Sequence, residues 1–368
     1  MSKLLILYIW ALTFAHIGSL GAIRYAVIAV IVTLIIVQGR KGFISNSWAY
    51  NIGGGLYLIS GLLATILEGP ASSWSYVFFT VLNFLILPAY AFNKIPSSYL
   101  MMLVGYILLT LLTMNVNGVK GAASMYGNPN NLATIILCTS YLALLAFKGR
   151  TALQVLMIPV FTGLMFLTSS RTQLAAILLF FGLYFGQRLL RTHLKKVLFV
   201  ALIASFVLYA TLVTGDPFNI IGVVQENTIG HKGYRGLSER DVLLFASIDI
   251  CRRFPFGVGW GVSGLYIYDY IGDTLSPHNT FAKVAVEGGV AALVGYLMLL
   301  LGMMYRNTTI LSGSFVLALT LRSLFEASTP FSLSFVSMML ILPFFLNENS
   351  VTITSFQMKS KSILKNGV

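Results

Sequence analysis

Charge is what this 368-residue chain has least of: 10% of its residues are Asp, Glu, Lys or Arg, and only 11 of those are acidic. A water-soluble domain of that length needs a charged surface, so that class is excluded. Cysteine is nearly absent as well. Cys138 falls inside an apolar run and Cys251 in a polar segment, so a disulfide scaffold is excluded, and no Cys-x-x-Cys or His/Cys cluster suggests a structural metal. The scarce charge is mostly basic, with 24 Lys and Arg and a net charge of +13. With no soluble basic domain to hold a duplex, nucleic-acid binding is not the reading.

What fills the chain is hydrocarbon. Apolar residues make up 57% of it, and the mean hydropathy is +0.85. Apolar runs recur from residue 4 to residue 346, each long enough to cross about 30 Å of bilayer core as a helix. The fold class is therefore an all-α polytopic membrane protein. A β-barrel is excluded because its strands would alternate with period two. Twelve spans are expected: about 4–20, 23–38, 51–67, 75–92, 99–115, 131–147, 152–168, 172–187, 197–214, 281–303, 308–325 and 331–346. They form one transmembrane domain over residues 1–346, followed by a tail at 347–368.

Basic residues set the expected orientation. With the N-terminus inside, the even-numbered connections hold Arg40-Lys41, Lys94, Lys148 with Arg150, the cluster Arg188 to Lys196, and Arg306. The tail adds Lys359, Lys361 and Lys365, and Glu348 is the only acidic residue on that side. Both termini are then cytoplasmic. The long connection 215–280 faces the opposite side, and a loop of that length usually has a function.

Within the loop, Ser238 with Asp241 three residues later is a capping signal. It predicts a helix lying on or dipping into the outer rim, ending at Pro255, with Val242, Phe245, Ala246 and Ile250 on one apolar face. Aromatics follow. Trp260, Tyr266, Tyr268 and Tyr270 read as interface residues or as platforms for stacking sugars.

Ionisable groups near a bilayer are costly and mark functional candidates. Arg171 opens a span after Thr168-Ser169-Ser170. It reads either as a snorkelling cation or as a clamp for phosphate, whose geometry a guanidinium fork fits. Arg240, between Glu239 and Asp241, is either a solvated charge or a second phosphate or sugar ligand. His278 stands at the mouth of a span beside Asn279, with Lys283 and Glu287 following. It reads either as a structural hydrogen-bonder or, as a neutral imidazole, as a base for a sugar hydroxyl. Glu287 lies two turns into an apolar helix and should face the interior. Arg322 with Glu326 reads as an i,i+4 ion pair inside the bundle.

Four elements in order resemble the O-antigen polymerase/ligase superfamily of bacterial membrane glycosyltransferases. They are Gly-Asn-Pro-Asn-Asn-Leu-Ala at 127–133, Thr-Ser-Ser-Arg-Thr at 168–172, Arg240 followed by Arg-Phe-Pro-Phe-Gly-Val-Gly at 253–259, and His-Asn-Thr-Phe with Glu-Gly-Gly over 278–289. The setting Glu239-Arg240 departs from the Gly-Arg or Ala-Arg usual in that superfamily. The resemblance implies an all-helical glycosyltransferase fold of the GT-C-like type, in the bacterial inner membrane, working at its periplasmic face. It implies a donor glycan on undecaprenyl diphosphate, held by Arg171 and Arg240, with His278 serving the acceptor hydroxyl. Asn279, Glu287, Arg322, Asn130 and Trp260 are candidate substrate-binding residues. No metal or other cofactor is expected, and a chain-length regulator is a candidate partner. Within the superfamily the pattern reads as a polymerase of lipid-linked repeat units, with a ligase to lipid A–core as the alternative. A flippase is the alternative from another class. It would carry ionisable groups at the midplane, whereas here they gather at the outer rim.

Overall fold

The computed structural model describes residues 2–13, 23–37, 47–90, 95–111, 115–117, 121–123, 129–189, 238–271, 275–306, 309–332, 334–346 and 351–352. The expected ninth span, 197–214, and the first part of the long loop lie outside them. The described chain is mostly helical. Its helices are α1 (Ser2–Thr13), α2 (Ile23–Val37), α3 (Trp48–Leu67), α4 (Ser73–Tyr90), α5 (Ser97–Leu111), α6 (Pro129–Ala146), α7 (Thr151–Leu167), α8 (Arg171–Leu189), α9 (Ser238–Arg253), α10 (Ser263–Ile271), α11 (Thr280–Arg306), α12 (Ile310–Ser323) and α13 (Phe335–Met339). Two small sheets accompany them. β1 (Ile95–Pro96) pairs parallel with β4 (Val351–Thr352), and β2 (Asn115–Asn117) pairs antiparallel with β3 (Gly121–Ala123).

Among the described residues, three helices are long and apolar enough to cross a membrane: Trp48–Leu67, Pro129–Ala146 and Thr280–Tyr305. Shorter apolar helices accompany them. The expected twelfth span is not one helix. Residues 335–346 form the short α13, a turn and a single 3₁₀ turn at Leu342–Phe344, all buried. Pro330 precedes this segment and Pro343 falls inside it, where each removes a backbone donor. The interior helix is α6, whose residues 132–146 are buried on every face. A helix apolar all round belongs in such a position.

The most extensive helix pair is α3 with α11. Lipid is as apolar as leucine, so association depends on close packing of small residues. A Cβ on Gly53 would lie 2.8 Å from the Gly295 carbonyl oxygen, and one on Gly295 would lie 2.5 Å from the Gly53 oxygen. The two backbones touch because neither residue has a side chain.

α11 is broken at Gly289, where φ is 74° and ψ is −176°, a region open essentially to glycine alone. The break frees main-chain groups that the helix would otherwise pair. The turn after α9 takes them up: Val258 N donates to Val286 O (2.9 Å), Gly259 N to Glu287 O (2.9 Å), and Val290 N donates to Pro255 O (3.4 Å). Ser60 Oγ on α3 donates to Gly288 O. Trp260 closes the joint with its ring stacked on Tyr57, centroids 5.1 Å apart.

The loop helix itself starts and stops where the sequence predicts, and the residues expected on one apolar face divide between buried and exposed positions. Leu243, Ala246, Ser247 and Ile250 point inward, while Val242 and Phe245 are exposed. The helix is apolar on several faces, so periodicity alone does not choose one.

Gly289→Ala should lower stability by about 1–3 kcal/mol from backbone strain alone, with further loss because the added Cβ would sit 2.6 Å from Pro255 O. The thermal unfolding midpoint in detergent is expected to fall. Gly105→Ala, inside α5 with nothing within 4 Å, should not lower it, since alanine favours a helix over glycine.

Candidate functional site

Three of the four motif segments, those of Asn130, Arg171 and His278, meet around one buried side chain, while the 253–259 segment bonds to α11 at Val286–Val290. Arg322, near the end of α12, is 4% exposed. Its Nη1 donates to Ser328 Oγ (2.8 Å) and its Nε to Thr134 Oγ1 (3.4 Å). Thr134 Oγ1 also accepts from Gln173 Nε2 (3.0 Å) and donates to the carbonyl of Asn130 (2.9 Å). Thr134 and Asn130 open α6 after Asn128-Pro129, and Gln173 lies two residues past Arg171 on α8. A guanidinium inside an apolar bundle must find such partners.

The same cluster holds the histidine segment. Ser328 N donates to Thr280 Oγ1 (3.1 Å), and Thr280 Oγ1 donates to Glu326 O (2.7 Å). Asn279 Nδ2 donates to Leu324 O (3.0 Å), while its Oδ1 accepts from Ala282 N (3.0 Å) as the N-cap of α11. His278 is exposed immediately before this anchored pair. Arg322 and Glu326 interact electrostatically, but the hydrogen bonds of Arg322 run to other elements, not along its own helix.

Arg171 is exposed at the first position of α8. The turn before it is tight: Ser169 adopts φ 53°, Thr168 Oγ1 donates to Met165 O (2.8 Å) and Ser170 N donates to Thr168 Oγ1 (3.3 Å). A cation at the positive end of a helix is electrostatically unfavourable by itself. An anion bound there would be favoured by both the guanidinium and the first-turn N–H groups. Arg240 lies in the first turn of α9.

Two candidate substrate ligands are buried in the described structure. Trp260 is 0% exposed, with a Cβ on Gly61 reaching its ring at 2.1 Å. It is a packing wedge between α3 and α11, with no open face for a sugar. Glu287 faces the interior as expected but is 1% exposed. Its Oε1 accepts from Ser263 Oγ (2.8 Å) and lies 3.7 Å from Lys283 Nζ, so it ties α10 to α11 beneath the Gly259 turn. Nearby, the Tyr266 phenol donates to Glu68 O (3.0 Å). Partial burial, then the charges of Glu68 and Asp269, push its pKa up and keep it protonated.

Sequence reasoning missed Thr134, Gln173, Thr280 and Ser328. The available signal was polarity, clearest for Thr134 and Gln173: a hydroxyl and an amide in the opening turns of apolar helices usually bond across helices.

The fold and this polar cluster define a helical membrane protein whose polar segments converge at one end of the bundle. Residues 152–297 match the family described as O-antigen ligase, which supports the resemblance to the O-antigen ligase/polymerase superfamily over that part of the chain. That family implies a glycosyltransferase-like enzyme acting on lipid-linked glycans. No curated protein and no solved structure matches the chain.

Thr134→Val keeps the shape but removes the acceptor for Arg322 and Gln173, and should cost about 1–3 kcal/mol. Thr134→Ser should restore most of it. Thermal unfolding of the two purified variants checks this.

Proposed function

We propose that the protein is an O-antigen polymerase-type glycosyltransferase. It joins undecaprenyl-diphosphate-linked repeat units at the periplasmic face of the inner membrane. The observation that carries this reading is the Arg322 cluster. It ties the segment of Asn130, the segment of Arg171 and the segment of His278 to one end of the bundle. An exposed Arg171 and an exposed His278 therefore flank one polar rim.

The chemistry follows from those groups. The acceptor hydroxyl oxygen attacks the anomeric carbon of the donor, and the bond from that carbon to the diphosphate oxygen breaks. His278 takes the hydroxyl proton. Arg171 and Arg240 meet the charge that develops on the departing diphosphate, the task metal ions perform in other transferases. Attack opposite the leaving group inverts the anomeric centre. Asn279 and Arg322 act as positioning residues, since their polar atoms bond to the protein.

The expected topology has its own support. β1 lies in a connection expected inside, and β4 lies in the tail expected inside, and the two pair. Glu68, expected outside, accepts from Tyr266 of the long loop. Transfer to lipid A–core is the second reading, favoured by the ligase description of the matched family.

In a deletion strain, wild-type protein should restore polymer and His278→Ala should not, although it still inserts. Polymer restored by His278→Ala removes the imidazole from the mechanism. Single capped units in the deletion strain mark a polymerase, whereas polymer retained on undecaprenyl diphosphate marks the ligase. Arg171→Lys keeps the charge and loses the planar fork. A loss of at least about tenfold in turnover is expected, near 1.4 kcal/mol, and full activity would return Arg171 to a headgroup anchor.

A further inference from the structure

We infer that the outward side of α9 and the turn after it is seated among phospholipid acyl chains, in the leaflet farther from Arg306. The inference rests on the depth at which the loop is pinned and does not depend on the proposed reaction. Val290, 59% exposed, begins a row on α11 that continues through Val294, Leu297 and Leu301, all exposed. Their spacing puts them on one face, which is the lipid-facing side of the span. About 20 residues of helix cover the hydrocarbon core. Counting back from Arg306, the helix end, sets the far edge near residue 287 and Val290 inside it.

The Val290 N to Pro255 O hydrogen bond (3.4 Å) therefore holds Pro255 at hydrocarbon depth. The next residue, Phe256, is 62% exposed, so its ring continues the apolar belt of α11. α9 leads into this turn. Its inward face packs with Val258, Val262, Ile267 and Val286. Its opposite face presents Leu244, Phe245 and Ile248, with Phe245 70% exposed. A helix apolar on both faces needs apolar surroundings on both. Protein supplies one side, and the lipid already facing Val290 supplies the other. Arg252, exposed near the end of the same outward face, suits the phosphate layer as a basic residue flanking an embedded apolar surface.

The full-length protein with Cys251→Ser, reconstituted in phosphatidylcholine vesicles, permits the test. Phe245→Cys and Phe256→Cys are labelled separately with an environment-sensitive fluorophore; Cys138 is buried. Both labelled proteins should elute from size exclusion like the parent. Stronger quenching by doxyl-labelled phosphatidylcholine than by aqueous iodide at both positions is the expected result. Stronger quenching by iodide at either position would overturn the inference, as would insensitivity to both quenchers, the mark of a protein–protein contact.

Discussion

The buried guanidinium of Arg322 organises the polar cluster that joins the starts of α6, α8 and α11. Arg322 cannot be left bare in an apolar bundle, and it is always charged. Its neighbours are therefore constrained: Thr134 must present an oxygen from α6, and Ser328 must fold back from the chain after α12. Those two demands fix others. Gln173 docks on Thr134, which positions the start of α8, and Thr280 docks on Ser328, which positions the start of α11. Residues far apart in the chain are held in register by hydrogen bonds that have no water to replace them.

The long loop obeys a related constraint. Within a membrane, every main-chain donor and acceptor needs a partner in the protein. The break at Gly289 violates helical pairing, and the turn at Pro255–Gly259 repairs it with three backbone bonds. Trp260 and Glu287 belong to this repair. Trp260 packs on Tyr57 and Glu287 accepts from Ser263, so both brace the turn where it meets α11.

Much of this was readable from composition and local pattern. Apolar runs give helices because the bilayer leaves few alternatives, and the capping signal at Ser238 with the stop at Pro255 bounds α9. What could not be read depends on partners distant in sequence. Two glycines in a row say nothing about which turn will fill the gap they leave. Which side of α9 faces the protein was not legible, because Val242 and Phe245 look as suitable for burial as Leu243. The segment 331–346 is as apolar as a span, yet its burial in the bundle removes the need to form one. For the site, local spacing suggested an Arg322–Glu326 pair, while Thr134 and Gln173 carried no charge to draw notice.

The backbone repair at Gly289 has a consequence for how the loop can be exchanged. Chimeras that graft the long loop of one relative onto the membrane helices of another would separate Pro255–Gly259 from the carbonyls it satisfies at Val286 and Glu287. The module that moves as a unit is larger than the loop: it includes the first half of α11, up to and including Val290.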